Sequence, residues 1–206
     1  MAVTRDQFEA GMTYAQYKAQ MTRNGEQFEQ NEKDLQLSSD DAQAFSNLAH
    51  RLNVLVLAED WCGDVIANLP IIGRVAEASQ GKLNLRILLR DQQPGEQVMN
   101  EHLNKGQYKS IPTVIFLDEQ FNELGTWVER PASVTRVREE KRLALYKQHP
   151  DWGDPSTAIA ELPEQVRTQV QQGVAAIRNE TKPFANAEVV RELRELVQGA
   201  RAKQPA

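Results

Sequence analysis

Trp61-Cys62-Gly63-Asp64 is the stretch whose residue types are suited to covalent chemistry, and Cys62 is the only cysteine of the chain. The thiolate is the reactive form of cysteine, so what surrounds Cys62 decides its chemistry. The run 53–58 before it is short, apolar and rich in branched residues, as befits a strand buried on both faces. After it, Ile66, Leu69, Ile72, Val75 and Ala76 recur at helical spacing over 62–79. Cys62 therefore falls at a helix N-terminus, where free N–H groups and the helix dipole stabilise negative charge by up to about 1 kcal/mol. Asp60 and Asp64 flank the sulfur and oppose a second negative charge, each by about 1 kcal/mol or less. These effects are of similar size, so the sequence leaves open both a reactive thiolate and an inert, hydrophobe-like thiol. Asp64 likewise reads as a solvated carboxylate at a helix start or as a proton acceptor.

Position 65, where a second thiol would close a disulfide with Cys62, holds Val65. An intramolecular dithiol cycle is therefore excluded. A single thiolate can still attack a disulfide and hold a mixed disulfide until another thiol releases it. His50, His102 and His149 sit far from Cys62 in sequence on predicted helices, which argues against a Cys–His hydrolase.

The elements that position Cys62 follow from periodicity and turn residues. The first 34 or so residues are polar and helix-prone. Asn24-Gly25 divides them into two predicted short helices. Ser38–Asp41 is an N-cap cluster, and Phe45, Leu48, Ala49 and Leu52 follow at helical spacing. A second strand spans 83–91, a short helix 95–106 closes at Gly106, and 112–118 and 123–129 form an antiparallel hairpin. The first two strands lead through helices and so lie parallel in one mixed sheet with helices on both faces. Beyond Pro131 the chain is helical and charge-rich. Asp154-Pro155 reads as the opening of one helix, Gly199 as the end of the last, and 200–206 as a frayed tail.

Charge and length narrow the class further. The chain has 206 residues and a net charge of −5, with its basic residues scattered, which disfavours nucleic acid as a partner. No apolar leader or membrane-length run is present, and a lone cysteine fits a reducing compartment, so a soluble cytoplasmic protein is expected.

Four stretches in register carry a family resemblance: "VLVLAEDWCG", Pro70 in the following helix, "SIPTVIFLD" and "FNELGTW". Over about 45–130 the chain resembles a thioredoxin-like protein, specifically a single-cysteine, WCGD-type bacterial member. The resemblance implies an α/β thioredoxin fold, a central mixed β-sheet flanked by helices. It implies an N-terminal helical extension over 1–44, a core over 45–130 and a C-terminal helical extension over 131–206 packed on the core. It also implies that Cys62 is catalytic and that Pro112 follows a cis peptide bond. Trp61, Gly63, Asp64, Ile111 and Pro112 would then border bound substrate. Val56 stands where thioredoxins keep a buried Asp, and Asp64 where they keep a proline.

Two functions remain. The first is a monothiol thiol–disulfide oxidoreductase, a monomer with no cofactor or metal, exchanging protein disulfides with a low-molecular-weight thiol. The second is a redox-inactive module that binds a peptide or partner protein beside Pro112. An iron–sulfur carrier ranks below both, because the Phe-Ser continuation after Cys-Gly is missing.

Overall fold

The computed structural model describes residues 3–203, with side chains through residue 199. Local chemistry starts the first helices. The Thr4 and Thr13 hydroxyls accept from the Gln7 and Gln16 amides, while the glutamine side chains accept from the threonine amides. These capping boxes open α1 (Arg5–Glu9) and α2 (Tyr14–Gln20). Asn24, in the left-handed region at φ 56°, precedes α3 (Gly25–Asp34). The N-terminal stretch thus forms three helices where two were expected. The extra break lies at Gly11-Met12, because the backbone there leaves the helix to pair with a strand. The amides of Met12 and Ile87 donate to each other's carbonyls at 2.8 and 2.9 Å. This bridge occupies part of the outer edge of the second strand. Gly11 is required for the approach, since a Cβ there would lie 2.9 Å from Cβ of Arg86.

Ser38 caps α4 (Ser39–Ser46) by accepting from the Asp41 amide. There follow β1 (Leu52–Ala58), α5 (Gly63–Ala78), β2 (Leu83–Leu89), α6 (Gly95–Glu101), β3 (Thr113–Leu117) and β4 (Glu123–Val128). α6 stops short of Gly106, because the chain turns back on itself through the Tyr108 amide, which donates to the Asn104 carbonyl at 3.0 Å. The sheet runs β2-β1-β3-β4, with β2 parallel to β1 and the other pairs antiparallel. This is the mixed α/β thioredoxin architecture with helical additions.

β1 is buried along its whole length, as its unbroken apolar run requires. Val54, Leu83, Leu85 and Phe116 face Phe45 of α4, Ile72 and Val75 of α5, and Leu193 and Val197 near the end of the chain. That layer leaves a void of only about 10 Å³. Phe8, Tyr17 and Phe28 from the N-terminal helices are buried in the same core. Each such aromatic stabilises the fold by about 2–3 kcal/mol.

The remaining helices are α7 (Ala132–Gln148), α8 (Glu164–Glu180) and α9 (Lys182–Lys203). The chain divides into two compact units, residues 3–130 with 189 onward, and residues 131–188. The stretch expected as a single extension thus parts at Val189, whose side chain and those of Val190, Leu193 and Val197 belong to the core around the sheet. The second unit has its own small core of Tyr146, Trp152, Leu162 and Val170. Asp154-Pro155 does not open a helix. Asp154 accepts from the Ser156 amide at 2.7 Å and makes a turn, and α8 starts after Pro163. α9 also runs through Gly199, since the packed residues before it offset a glycine cost of about 1 kcal/mol. Residues 204–206 of the expected frayed tail lie outside the described residues. Among the described residues no helix is long and apolar enough to cross a membrane.

Gly73 in α5 reports how tightly the N-terminal helices pack. A Cβ there would sit 2.4 Å from Cζ of Tyr14, whose hydroxyl is held by Glu32 at 3.0 Å. In an open helix Gly73→Ala would stabilise by about 1 kcal/mol. Here we expect destabilisation of about 1–2 kcal/mol from overpacking. In a Tyr14→Ala background the same change should become stabilising. Thermal denaturation of the four proteins of this cycle tests it, and additive effects would contradict the contact.

Candidate functional site

β1 and β2 end together, with Ala58 opposite Leu89, so the residues after them, Glu59 and Arg90, meet at one end of the sheet. The chain then turns through Asp60 and Trp61 to Cys62, which is the N-cap of α5. The Cys62 amide donates to the Glu59 carbonyl at 3.2 Å, and the Cys62 carbonyl accepts from the Ile66 amide at 3.0 Å. Cys62 is partly exposed and its thiol donates to the Ile111 carbonyl at 3.5 Å. The Ile111–Pro112 peptide bond is cis, as is Gln93–Pro94. Trp61 is 45% exposed, Gly63 is exposed, Asp64 is partly buried, and Ile111 and Pro112 are buried. The structure thus brings Cys62 against Ile111, 49 residues away, and places Pro112 next in line.

This juxtaposition is held by a chain of ties. The buried Asn68 of α5 donates to the Glu129 carbonyl at 2.7 Å, and the Glu129 amide donates to the Pro112 carbonyl at 2.8 Å. Thr113 closes the turn by donating to the Ser110 carbonyl at 2.7 Å, and Arg90 donates to the Lys109 carbonyl at 3.1 Å. The helix that carries the thiol and the loop that faces it are therefore anchored to one another through backbone groups.

The two carboxylates expected to disfavour a thiolate are engaged elsewhere. Asp64 pairs with Arg130 at 3.0 Å. Asp60 accepts from the Thr22 amide at 2.7 Å, the Thr22 hydroxyl at 3.1 Å and the Arg23 amide at 3.0 Å. Burial pushes the Asp60 carboxyl up, but these donors outweigh it and hold the group below its ordinary value. Asn24 adds a bond to the Asp60 carbonyl at 2.8 Å. The loop between α2 and α3 thus clamps the turn that presents Cys62.

Several neighbours of the site escape a reading of local sequence. Glu59 is 9% exposed, accepts from the Asp91 amide at 2.9 Å, and is pushed above its ordinary range by burial. Arg90 lies over the Trp61 ring at 4.9 Å and forks onto Asp91 at 2.8 Å through two nitrogens. Its bonds to Asp91 hold the guanidinium firmly charged. Tyr17 is fully buried and its hydroxyl has no partner among the described residues. Burial, then Asp60, Glu59 and Cys62, push its phenol up, so it stays neutral. Glu59 and Arg90 did have a signal, since parallel strands joined by one crossover end side by side. Tyr17 and Thr22 had none. Val56 and Val65 are both fully buried, so no polar group replaces the missing Asp or the second thiol at those positions. His102 bonds to the Val98 carbonyl and Glu123, and His149 stacks on Trp152, so neither serves Cys62.

The chain belongs to the thioredoxin-like superfamily: a family model described as Thioredoxin matches residues 11–142. Among solved structures, it is similar to an HIV epitope-scaffold at 19% identity, with a TM-score of 0.63, covering 96% of this chain and 99% of that one. It is also similar to a protein of unknown function from Pseudomonas aeruginosa at 23% identity, with a TM-score of 0.60, covering 87% of this chain and 99% of that one. Both likenesses concern the fold. Curated protein sequences include no match to the chain.

The Asp60 clamp has a definite pH signature. Its folded value lies below the unfolded one, so its stabilisation is complete above the ordinary Asp value and is lost as pH falls through the folded value. Asp60→Ala should cost about 2 kcal/mol at neutral pH, the scale for a charged acceptor with several donors. The difference from the parent should shrink in the acid range. Urea unfolding of both proteins at pH 7 and pH 3 checks this, and an equal cost at both would refute it.

Proposed function

We propose that the protein is a monothiol thiol–disulfide oxidoreductase working through Cys62. What supports this best is the partly exposed Cys62 at the start of α5, whose sulfur lies 3.5 Å from the Ile111 carbonyl and which follows the exposed Trp61 in the chain. Each step is an exchange of one sulfur–sulfur bond for another. The Cys62 thiolate attacks the small-thiol sulfur of a protein mixed disulfide. A bond between Cys62 and the small thiol forms, and the protein sulfur leaves as a thiolate that takes up a proton. A second small thiolate then attacks the Cys62-bound disulfide. Cys62 is released, and a disulfide of two small thiols carries the oxidising equivalents away.

Val65 imposes this route, because no second thiol stands in the chain to resolve the intermediate. The same absence fits a reducing compartment supplied with a free small thiol, such as a bacterial cytoplasm. No resident cofactor or metal is needed, and the protein acts as a monomer. Trp61, Gly63, Asp64, Ile111 and Pro112 border the bound disulfide. With the Asp64 charge paired to Arg130, the helix dipole acts on the sulfur with less opposition from that side, while Asp60 stays an ionised, hydrogen-bonded carboxylate.

A second reading is favoured by Val56 and Val65, both fully buried and apolar where a redox thioredoxin is polar. In that reading the surface beside Pro112 binds a peptide and Cys62 is a bystander. One comparison separates the two. With a glutathionylated protein as substrate and excess glutathione, Cys62→Ser should lose at least about 100-fold in turnover, as removal of a nucleophile does. Turnover left unchanged by Cys62→Ser would sink the oxidoreductase.

A further inference from the structure

At the opposite end of the sheet from Cys62 lies an open groove of about 690 Å³, within the size range of small-molecule sites. β1 separates the two, because Asn53 at the groove and Ala58 before the thiol turn are about 16 Å apart along a strand. The floor of the groove is built. Asn84 donates to the side chain of the buried Asn53 at 2.9 Å, and Asn53 donates to the Asp118 carbonyl at 3.1 Å.

Three arginines, Arg5, Arg51 and Arg86, line this groove. Arg5 already has company, resting on the Phe121 ring at 4.7 Å and pairing with Glu9 at 3.6 Å. The other two differ. Among the described residues, the side chains of Arg51 and Arg86 have no ion pair and no hydrogen bond, and Nε of Arg86 is shut away from solvent without an acceptor. A buried donor left without an acceptor destabilises the fold. In a chain of net charge −5, most arginines near carboxylates are paired, and these two are not.

We propose that this groove binds a phosphate dianion, carried by a small ester or free, through Arg51 and Arg86. A guanidinium fork matches two phosphate oxygens and stays charged at every working pH. The carboxylates Glu9 and Glu119 line the same groove, so a long polyanion would be repelled where a compact ligand is not. Phe121 gives the carbon part of an ester an apolar wall. The site is independent of the thiol chemistry proposed above.

Calorimetric titration of the full chain at low ionic strength, with inorganic phosphate and with phenyl phosphate, tests this. Phenol serves as the neutral control. Saturable binding of at least one phosphate at millimolar or lower concentration is expected, with none for phenol. Arg51→Gln should weaken it about tenfold, as loss of one charged hydrogen-bonding partner does. Arg86→Gln should do the same, but Arg86 packs against Gly11, so the exposed Arg51 is the decisive variant. Tighter binding of phenyl phosphate would identify an ester, and equal binding would identify free phosphate. No saturable binding of either phosphate, or undiminished affinity in Arg51→Gln, would overturn the proposal.

Discussion

The placement of Cys62 depends on a relay of backbone bonds anchored by one buried amide. Asn68 sits two turns into α5 and grips the Glu129 carbonyl, while the Glu129 amide grips the carbonyl of Pro112. Glu129 can do both because its backbone enters the left-handed region at φ 58°. Without that relay, the helix start and the 109–113 loop would be joined only through packing. A weak thiol-to-carbonyl bond at 3.5 Å would not hold them. The relay also fixes the apolar surroundings, since Ile111 and Pro112 are buried while Trp61 stays in solvent.

Around the sulfur, charge is arranged in closed pairs. Asp64 faces Arg130, Asp91 faces Arg90, and Asp60 faces three donors from the loop after α2. The ion pairs of Asp64 and Asp91 offset part of the negative charge that the primary structure alone would assign to the thiol turn, while Asp60 keeps its charge and is fixed in place by its donors. The same arrangement makes the N-terminal helices part of the site, because the clamp on Asp60 comes from Thr22 and Arg23. Where a second thiol would stand, Val65 is a fully buried core residue that contributes packing instead.

The arginine groove illustrates a different economy of charge. The thiol end of the sheet pairs Asp64 and Asp91 with arginines, whereas at the other end the Arg51 and Arg86 guanidinium groups have no ion pair among the described residues. Strand alternation places Asn53, Asn84 and Arg86 on one face, opposite the apolar face that meets α5. One sheet thereby serves a thiol at one end and a cationic groove at the other.

Much of this was legible in the chain itself. Short branched runs and a helical stripe placed Cys62 at a helix start, the absence of a second cysteine removed the dithiol cycle, and Ser38-x-x-Asp41 marked a cap. Strand order could be read as far as the parallel first pair and the final hairpin, but not the antiparallel joining of β1 to β3. The break at Met12 and the end of α6 were missed because each is decided by a bridge rather than by propensity. Sequence by itself determined periodicity, caps and the single thiol, since these are settled within a few residues by backbone geometry and side-chain type. Only the tertiary structure decided which charges the thiol feels and which arginines stand alone. Those depend on partners 38 residues away, as Thr22 is from Asp60, or on a partner's absence, and no local pattern encodes either.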